Sequence, residues 1–250
     1  FSAAENQTSI GSVSASDAEG DDLTYAVSGS EISISDTGVL TFKNAPDYES
    51  KSTYTETVTV SDGVNSSTQD ITVSITNVND VAPVISSSST FSAAENQTAI
   101  GSVEASDVEG DDLTYSISGT EISISSTGVL SFISAPDYES KTSYSATVTV
   151  SDGELLDTQD LIVSVINVND NSPVITSGSG FSVNENVSTI GTVQASDADN
   201  DALAYSVTGS ELQISNSGVL SFSDSNGADF ESQSSYIAEV SVFDGVFTVS

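Results

Sequence analysis

The chain has no cysteine, histidine, methionine or tryptophan, and its only basic residues are Lys43, Lys51 and Lys141. Without thiols or imidazoles, no disulfide can staple the fold, and Cys- or His-based sites for zinc, copper, haem or iron–sulfur clusters are excluded. A serine nucleophile would need one of three turn-borne lysines as its base, so the chain is not expected to be an enzyme. The scarcity of positive charge excludes nucleic acid and anionic membranes as partners, because both are bound through Lys and Arg. No apolar run is long enough to span a bilayer, and no basic-then-apolar leader opens the sequence.

What the chain does have is acid. Its 250 residues carry 37 Asp plus Glu, for a formal net charge of −34. More than half of these acids fall in motifs that recur about every 90 residues. Phe1-Ser-Ala-Ala-Glu5-Asn6 returns as Phe91-Ser-Ala-Ala-Glu95-Asn96 and Phe181-Ser-Val-Asn-Glu185-Asn186. Asp17-Ala-Glu19 returns as Asp107-Val-Glu109 and Asp197-Ala-Asp199. Asp47-Tyr-Glu49 returns as Asp137-Tyr-Glu139 and, after a two-residue insertion, as Asp229-Phe-Glu231. Asp62, Asp152 and Asp244 each precede a glycine. An acidic surface that served only solubility would drift between repeats. Carboxylates held in register point instead to stacked units sharing a cation, and with only oxygen donors available that cation is calcium or magnesium.

Period-two alternation marks seven strands in the middle repeat: Pro83–Ser92, Ala99–Ala105, Leu113–Ser118, Glu121–Ser125, Gly128–Ile133, Tyr144–Val150 and Thr158–Val168. Turn signals separate them, and no segment has helical periodicity. The expected fold is all-β: tandem seven-stranded, antiparallel Greek-key sandwiches of the Ig-like type, end to end. Tyr115, Phe132, Val148 and Val150 are expected in the core. The repeats divide as 1–80 with its first strand truncated, 81–170 complete, and 171–250 with its last strand missing, so the sequence reads as a window on a longer array.

If each strand reverses the last, Glu95, Asp137, Glu139 and the end of the seventh strand reach one pole of the sandwich. Asp107, Glu109 and Asp152 reach the other. Stacking repeats 1 and 2 would then gather Glu5, Asp47, Glu49, Asp80, Asp107, Glu109 and Asp152 at one junction. Two like charges about 4 Å apart repel by ~4 kcal/mol at an effective dielectric near 20. Several such pairs rival the ~5–15 kcal/mol stability of a domain. The cluster must splay, take up protons or hold cations, and calcium accepts 6–8 oxygens in flexible geometry.

Taken together, these motifs resemble the cadherin repeat. Its linker is matched by Asn77-Val-Asn79-Asp80-Val-Ala-Pro83 and Asn167-Val-Asn169-Asp170-Asn171-Ser-Pro173. The resemblance covers all three repeats and implies about three calcium ions per junction. By that resemblance Glu5, Asp47, Glu49 and Asp80 serve the two ions nearer repeat 1. Asn79, Asp107, Glu109 and Asp152 mainly serve the third, and the Val78 and Val81 carbonyls complete the shells. The second junction uses Glu95, Asp137, Glu139, Asn167, Val168, Asn169, Asp170, Asn171, Asp197, Asp199 and Asp244. Asp17, Glu19 and Asp62 at the start, and Glu185, Asp229 and Glu231 at the end, are the corresponding half-sites.

Two departures stand out. The linker's first Asp is Asn77 and Asn167 here, and Asp-x-Asp becomes Asp-x-Glu in repeats 1 and 2. The Trp-free, Ser/Thr-rich style is closer to cadherin-type repeats of bacterial giant surface adhesins than to animal cadherins. Asp197-Ala-Asp-Asn-Asp201 opens like an EF-hand, but Ala202 and Thr208 stand where that loop needs Gly and Glu.

The resemblance implies an extracellular, cell-surface module: a calcium-rigidified stalk in cell adhesion, its partners the neighbouring repeats. The alternative is a directly adhesive or filament-forming subunit that binds copies of itself or a surface glycan or protein. Contact with a membrane would come only through regions outside this segment.

Overall fold

The computed structural model describes all 250 residues and contains strands and turns but no α-helix. Three β-sandwich units follow one another along the chain. In the middle unit one sheet is ordered Thr114–Ile117, Ser143–Ser151, Leu156–Ile166, Thr90–Ala94. Ala99–Ser102, Val129–Phe132 and Ile122–Ile124 form a second sheet, beside a short pair of Val84–Ile85 with Ala105–Ser106. These bounds follow the expected strands to within a few residues.

Alternation of apolar and polar residues builds each sheet's inner face. In Leu156–Ile166, Leu161, Val163 and Val165 turn inward while Ile162 and Ile166 stay half exposed. Inward residues of both sheets meet in a core that contains Val103, Ile122, Leu130, Phe132, Val148 and Val150. Each fully buried Leu or Val contributes ~1.5–3 kcal/mol. Tyr115, expected in that core, lies at its rim, only partly buried. A separate cluster around Ile32, Leu40, Phe42, Val58 and Val73 holds the first unit. In both, a Phe meets a Tyr edge-on at 4.9 Å, Phe42 with Tyr54 and Phe132 with Tyr144.

Two expectations are corrected. The sandwich is not wholly antiparallel: Thr90–Ala94 runs parallel to Ile162–Ile166, and Ser2–Ala4 runs parallel to Ser74–Thr76. Nor is Pro83–Ser92 one strand. Val84–Ile85 pairs antiparallel with Ala105–Ser106, then the run Ser86–Ser89 crosses to the other sheet. Serines permit the crossing because their hydroxyls satisfy local backbone groups, as where Thr90 N–H donates to Ser88 Oγ at 3.1 Å. Ile85 N–H donates to Asp157 Oδ2 at 2.9 Å, and Gln159 Nε2 donates to the Ser87 carbonyl at 3.3 Å, seating the crossover on the last strand.

In the third unit, Thr248–Val249 is the only strand in the place of Leu156–Ile166. Residues 181–184 and 233–239 lie outside any strand.

One backbone feature recurs in all three cores. Gly38, Gly128 and Gly218 have φ of 78°, 81° and 78°, and a Cβ on any of them would sit 2.2 Å from the carbonyl oxygen of Val13, Val103 or Val193. Gly119 has φ of 88° but open space around it. Gly119→Ala should therefore cost only the left-handed backbone strain, ~1 kcal/mol, whereas Gly128→Ala should cost about 3 kcal/mol or more, read from urea unfolding midpoints. Equal losses would mean the close approach is not a packing constraint.

Candidate metal centres at the domain junctions

The turn after each unit's parallel strand holds the first fixed carboxylate. Asn6 and Asn96 take left-handed φ of 61° and 63°, which Asn tolerates, and this turns Glu5 and Glu95 inward. Both glutamates are 3% exposed. Glu5 Oε2 accepts from Tyr48 N–H at 2.7 Å, and its Oε1 accepts from Val78 N–H at 2.8 Å. Glu95 accepts from Tyr138 and Val168 N–H, both at 2.8 Å. One side chain thus ties the first turn, the Asp-Tyr-Glu loop and the linker together. The amides of Asn6 and Asn96 reach on to Asp80 and Asp170.

At the opposite pole the aspartates share one habit. Asp107 Oδ1 accepts from the N–H groups of Glu109 and Gly110 at 2.8 and 3.0 Å. Asp152 Oδ1 accepts from Glu154 and Leu155 at 2.8 and 2.7 Å. Asp197 does the same with Asp199 at 2.9 Å, and Asp244 with Val246 and Phe247, both at 2.7 Å. In all four the other oxygen, Oδ2, is buried with no hydrogen-bond partner. The linker amides Asn79, Asn167 and Asn169 leave their Oδ1 atoms in the same condition. Asn167 and Asn169 are held through Nδ2, which donates to the Asp199 carbonyl at 2.8 Å and the Asp244 carbonyl at 3.2 Å. Buried acceptors facing no donor are rare, because each costs about 1–3 kcal/mol.

Between the poles the linker is bound from the following unit. Asp80 and Val81 N–H donate to Glu109 at 3.1–3.2 Å. Asp170 and Asn171 N–H donate to Asp199 Oδ2 at 3.1 and 2.8 Å. Asn171 Nδ2 also reaches Glu139, Asp170 and Asp199.

The outcome is two mixed clusters. Glu5, Glu49, Asp80 and Glu109 bring carboxylate oxygens within 4.8 Å of one another, as do Glu95, Glu139, Asp170 and Asp199. Each set draws on residues before and after a linker. Two smaller groups, Asp107 with Glu109 and Asp111, and Asp197 with Asp199 and Asp201, gather on the same scale. No lysine compensates them: the two ion pairs of the chain are Lys51–Glu31 and Lys141–Glu121, outside both clusters.

The electrostatic strain registers on Glu49 and Glu139. Partial burial, then the charges of Glu5, Glu109 and Asp47, push Glu49 above the ordinary glutamate value. Glu139 is raised by burial and by the proximity of Asp199 and Glu95. Burial works against Asp199 too, yet the Asn171 amide and the Asn171 and Asp170 N–H groups bring it below the ordinary aspartate value.

Not every expected residue joins. Asp47 and Asp137 lie outside the four-carboxylate groups and accept from Ser50 and Ser140 of their own loops. Val78 and Val168 present N–H groups to Glu5 and Glu95, whereas Asn77 makes no side-chain hydrogen bond. Asp17 and Asp62 cap their own turns, as does Asp229, and neither they nor Glu19, Glu185 and Glu231 form a cluster of three. Sequence reasoning missed Asn6 and Asn96, and it missed Asp111 and Asp201, whose signal was an acid two residues beyond Asp-x-Glu/Asp.

An all-oxygen donor set with unpartnered acceptors fits a hard divalent cation with a large, flexible shell, as calcium has. A zinc site of the usual kind would need Cys or His ligands, and the chain has neither.

Comparison with known proteins bears on the fold. A family model described as a bacterial Ig domain matches residues 79–164. The chain is 37% identical over 129 residues to chitinase A of Pseudoalteromonas piscicida, spanning 50% of this chain and 16% of the chitinase. It is 30% identical over 223 residues to human protocadherin-15, spanning 80% of this chain and 11% of that protein. It therefore corresponds to a small part of each curated relative. Among solved structures, mouse cadherin-23 EC22-24 superposes with a TM-score of 0.73 at 22% identity, over 98% of this chain and 89% of that one. The protocadherin gammaB7 EC3-6 cis-dimer gives 0.79 at 22% identity, over 98% and 71%. These structural likenesses show the fold.

The pKa directions set a pH signature. An acid with a raised value holds its proton more tightly folded than unfolded. Calcium-free protein should therefore gain stability as pH falls from neutral through the raised values of Glu49 and Glu139 toward 4.5. Further acidification should reverse this. Turn N–H groups hold Asp47, Asp152 and Asp244 below the ordinary aspartate value, the Ser140 hydroxyl does so first for Asp137, and the stability they contribute is lost as pH falls through those lowered values. Melting temperatures across this range should peak in mild acid, and Glu49→Gln with Glu139→Gln should flatten most of the rise. A monotonic fall in calcium-free buffer would contradict the clustering.

Proposed function

The chain is built of cadherin-like repeats, and on that premise we propose that it is a calcium-binding extracellular module, a stalk in cell adhesion stiffened by ions shared at each junction. The observation that carries this reading is the set of buried, unpartnered oxygens: Asn79, Asp107 and Asp152 at one junction, and Asn167, Asn169, Asp197 and Asp244 at the next. A solubilising surface would leave its carboxylates in water. Here one oxygen of each aspartate is fixed by turn N–H groups while the other is held dry and free, the arrangement of a preformed ligand.

The unit boundaries, taken at Asp80/Val81 and Asp170/Asn171, then fall inside the cation pockets. About three calcium ions occupy each junction. Glu5, Asp47, Glu49 and Asp80 hold the two ions on the side of the first unit, and Asn79, Asp107, Glu109 and Asp152 hold the third. The Val78 and Val81 carbonyls complete the shells. Asp47 can bind while keeping its Ser50 contacts, since each carboxylate oxygen has two lone pairs. The second junction repeats the scheme with Glu95, Asp137, Glu139, Asn169, Asp170, Asp197, Asp199 and Asp244.

Function follows from mechanics. With ions in place, acids from two units share a ligand shell and the interdomain angle is fixed. Without them the same acids repel and the linker bends. The match to chitinase A favours a second setting for the same device, a spacer within a glycan-degrading enzyme, with the repeats themselves non-catalytic.

Small-angle X-ray scattering tests the mechanical claim. Adding millimolar calcium to chelated protein should raise the maximum dimension and sharpen the distance distribution toward that of a straight rod. Superimposable curves in the two conditions would defeat the stalk.

A further inference from the structure

We propose that Asp201, and Asp111 at the first junction, are direct cation ligands, so that the loop entering each following unit presents three carboxylates to one ion. This rests on the reading that the junctions bind calcium and adds a donor that the repeat motif does not contain.

The same loop appears in three settings. In the first unit Glu19 and Asp21 are exposed and no three-carboxylate group forms. In the second unit Asp107, Glu109 and Asp111 are all half-buried and their oxygens converge within 4.8 Å. In the third, Asp197 and Asp201 are half-buried and Asp199 is 5% exposed, with the same convergence. In the second and third units the trio lies beside a linker, whose N–H groups donate to Glu109 and Asp199.

Nothing in the protein satisfies the added carboxylate. Asp201 N–H donates to Asp197 Oδ1 at 3.4 Å, which orients the loop, but no hydrogen bond or lysine reaches the Asp201 or Asp111 side chain. An independent feature points into the same space. Asp244, from a different loop, is 5% exposed and its Oδ2 is unpartnered, and its charge bears on Asp201 together with those of Asp197 and Asp199. Asn169, docked on the Asp244 carbonyl, leaves its Oδ1 unpartnered as well. Asp199 is held by the linker N–H groups and the Asn171 amide, while Asp197 Oδ2, Asp244 Oδ2, Asn169 Oδ1 and the Asp201 carboxylate have no donor, and a hard divalent cation is what such a shell takes.

The test is equilibrium dialysis against calcium on the intact chain. Asp111→Asn with Asp201→Asn should lose one ion per junction or weaken one class of sites roughly tenfold or more. Asp22→Asn with Asp112→Asn, an equal charge change at two exposed positions, should match wild type. The calcium-free melting temperature of the Asp111→Asn, Asp201→Asn variant should equal or exceed that of wild type, because repulsion is relieved; should it not fold, Asp111→Asn alone gives the same reading for the first junction. Titrations superimposable on wild type would overturn the assignment while leaving the calcium stalk standing. A wild-type chain that binds no calcium would sink both.

Discussion

Like-charge repulsion without a counter-charge is the constraint around which this protein is organised. Each junction brings four carboxylates within 4.8 Å of one another while the ion pairs of the chain lie elsewhere. Folding alone would not choose that arrangement, since every such contact opposes compaction. The backbone nevertheless enforces it. Glu5 and Glu95 are clamped by two N–H groups each, and the linker N–H groups are bound by Glu109 and Asp199. The geometry is fixed by neutral donors and the charge is left for an external ion to cancel.

The sandwich serves this by delivery. Strands of even direction carry one set of loops to each end, and the alternation of buried valines and leucines fixes the register that decides which way each acid points. Repetition then pairs the far end of one unit with the near end of the next. The three units differ where their surroundings differ. The acidic entry loop is exposed in the first, half-buried in the second and most buried in the third, where Asp199 and Asn171 replace Glu109 and Val81. The shorter Asp arm, gripped by the Asn171 amide, packs more closely than the Glu at the first junction.

Much of this was legible in the sequence because it depends on short-range pattern. Period-two alternation located the strands, and counting reversals sent Glu5, Glu49, Asp80 and Glu109 to a common end. Contacts set by pairing partner were not legible. A run of serines reads as a strand or as a turn, and only the position of the last strand decides that Ser86–Ser89 crosses between sheets and that Thr90–Ala94 pairs in parallel. Asp111 and Asp201 were hidden for a related reason. Acids next to Gly or Asn in a turn usually face water, and their role emerges only once a linker folds over the loop. The local partner of Asp47 was not legible either: the motif places it toward the junction, and the hydroxyl of Ser50, three residues on, also orients its carboxylate.

The parallel ladder between Thr90–Ala94 and Ile162–Ile166 has a load-bearing consequence. The chain enters the unit near one end of that ladder and leaves near the other, so a pull on the array slides the two strands past each other lengthwise. Their bridging bonds must then yield together, as in a lap joint, and do not open one after another as a zipper would. A sheet whose terminal strands were antiparallel neighbours would be peeled from one end. The pairing that sequence pattern did not disclose is the one that equips the first two units to transmit tension.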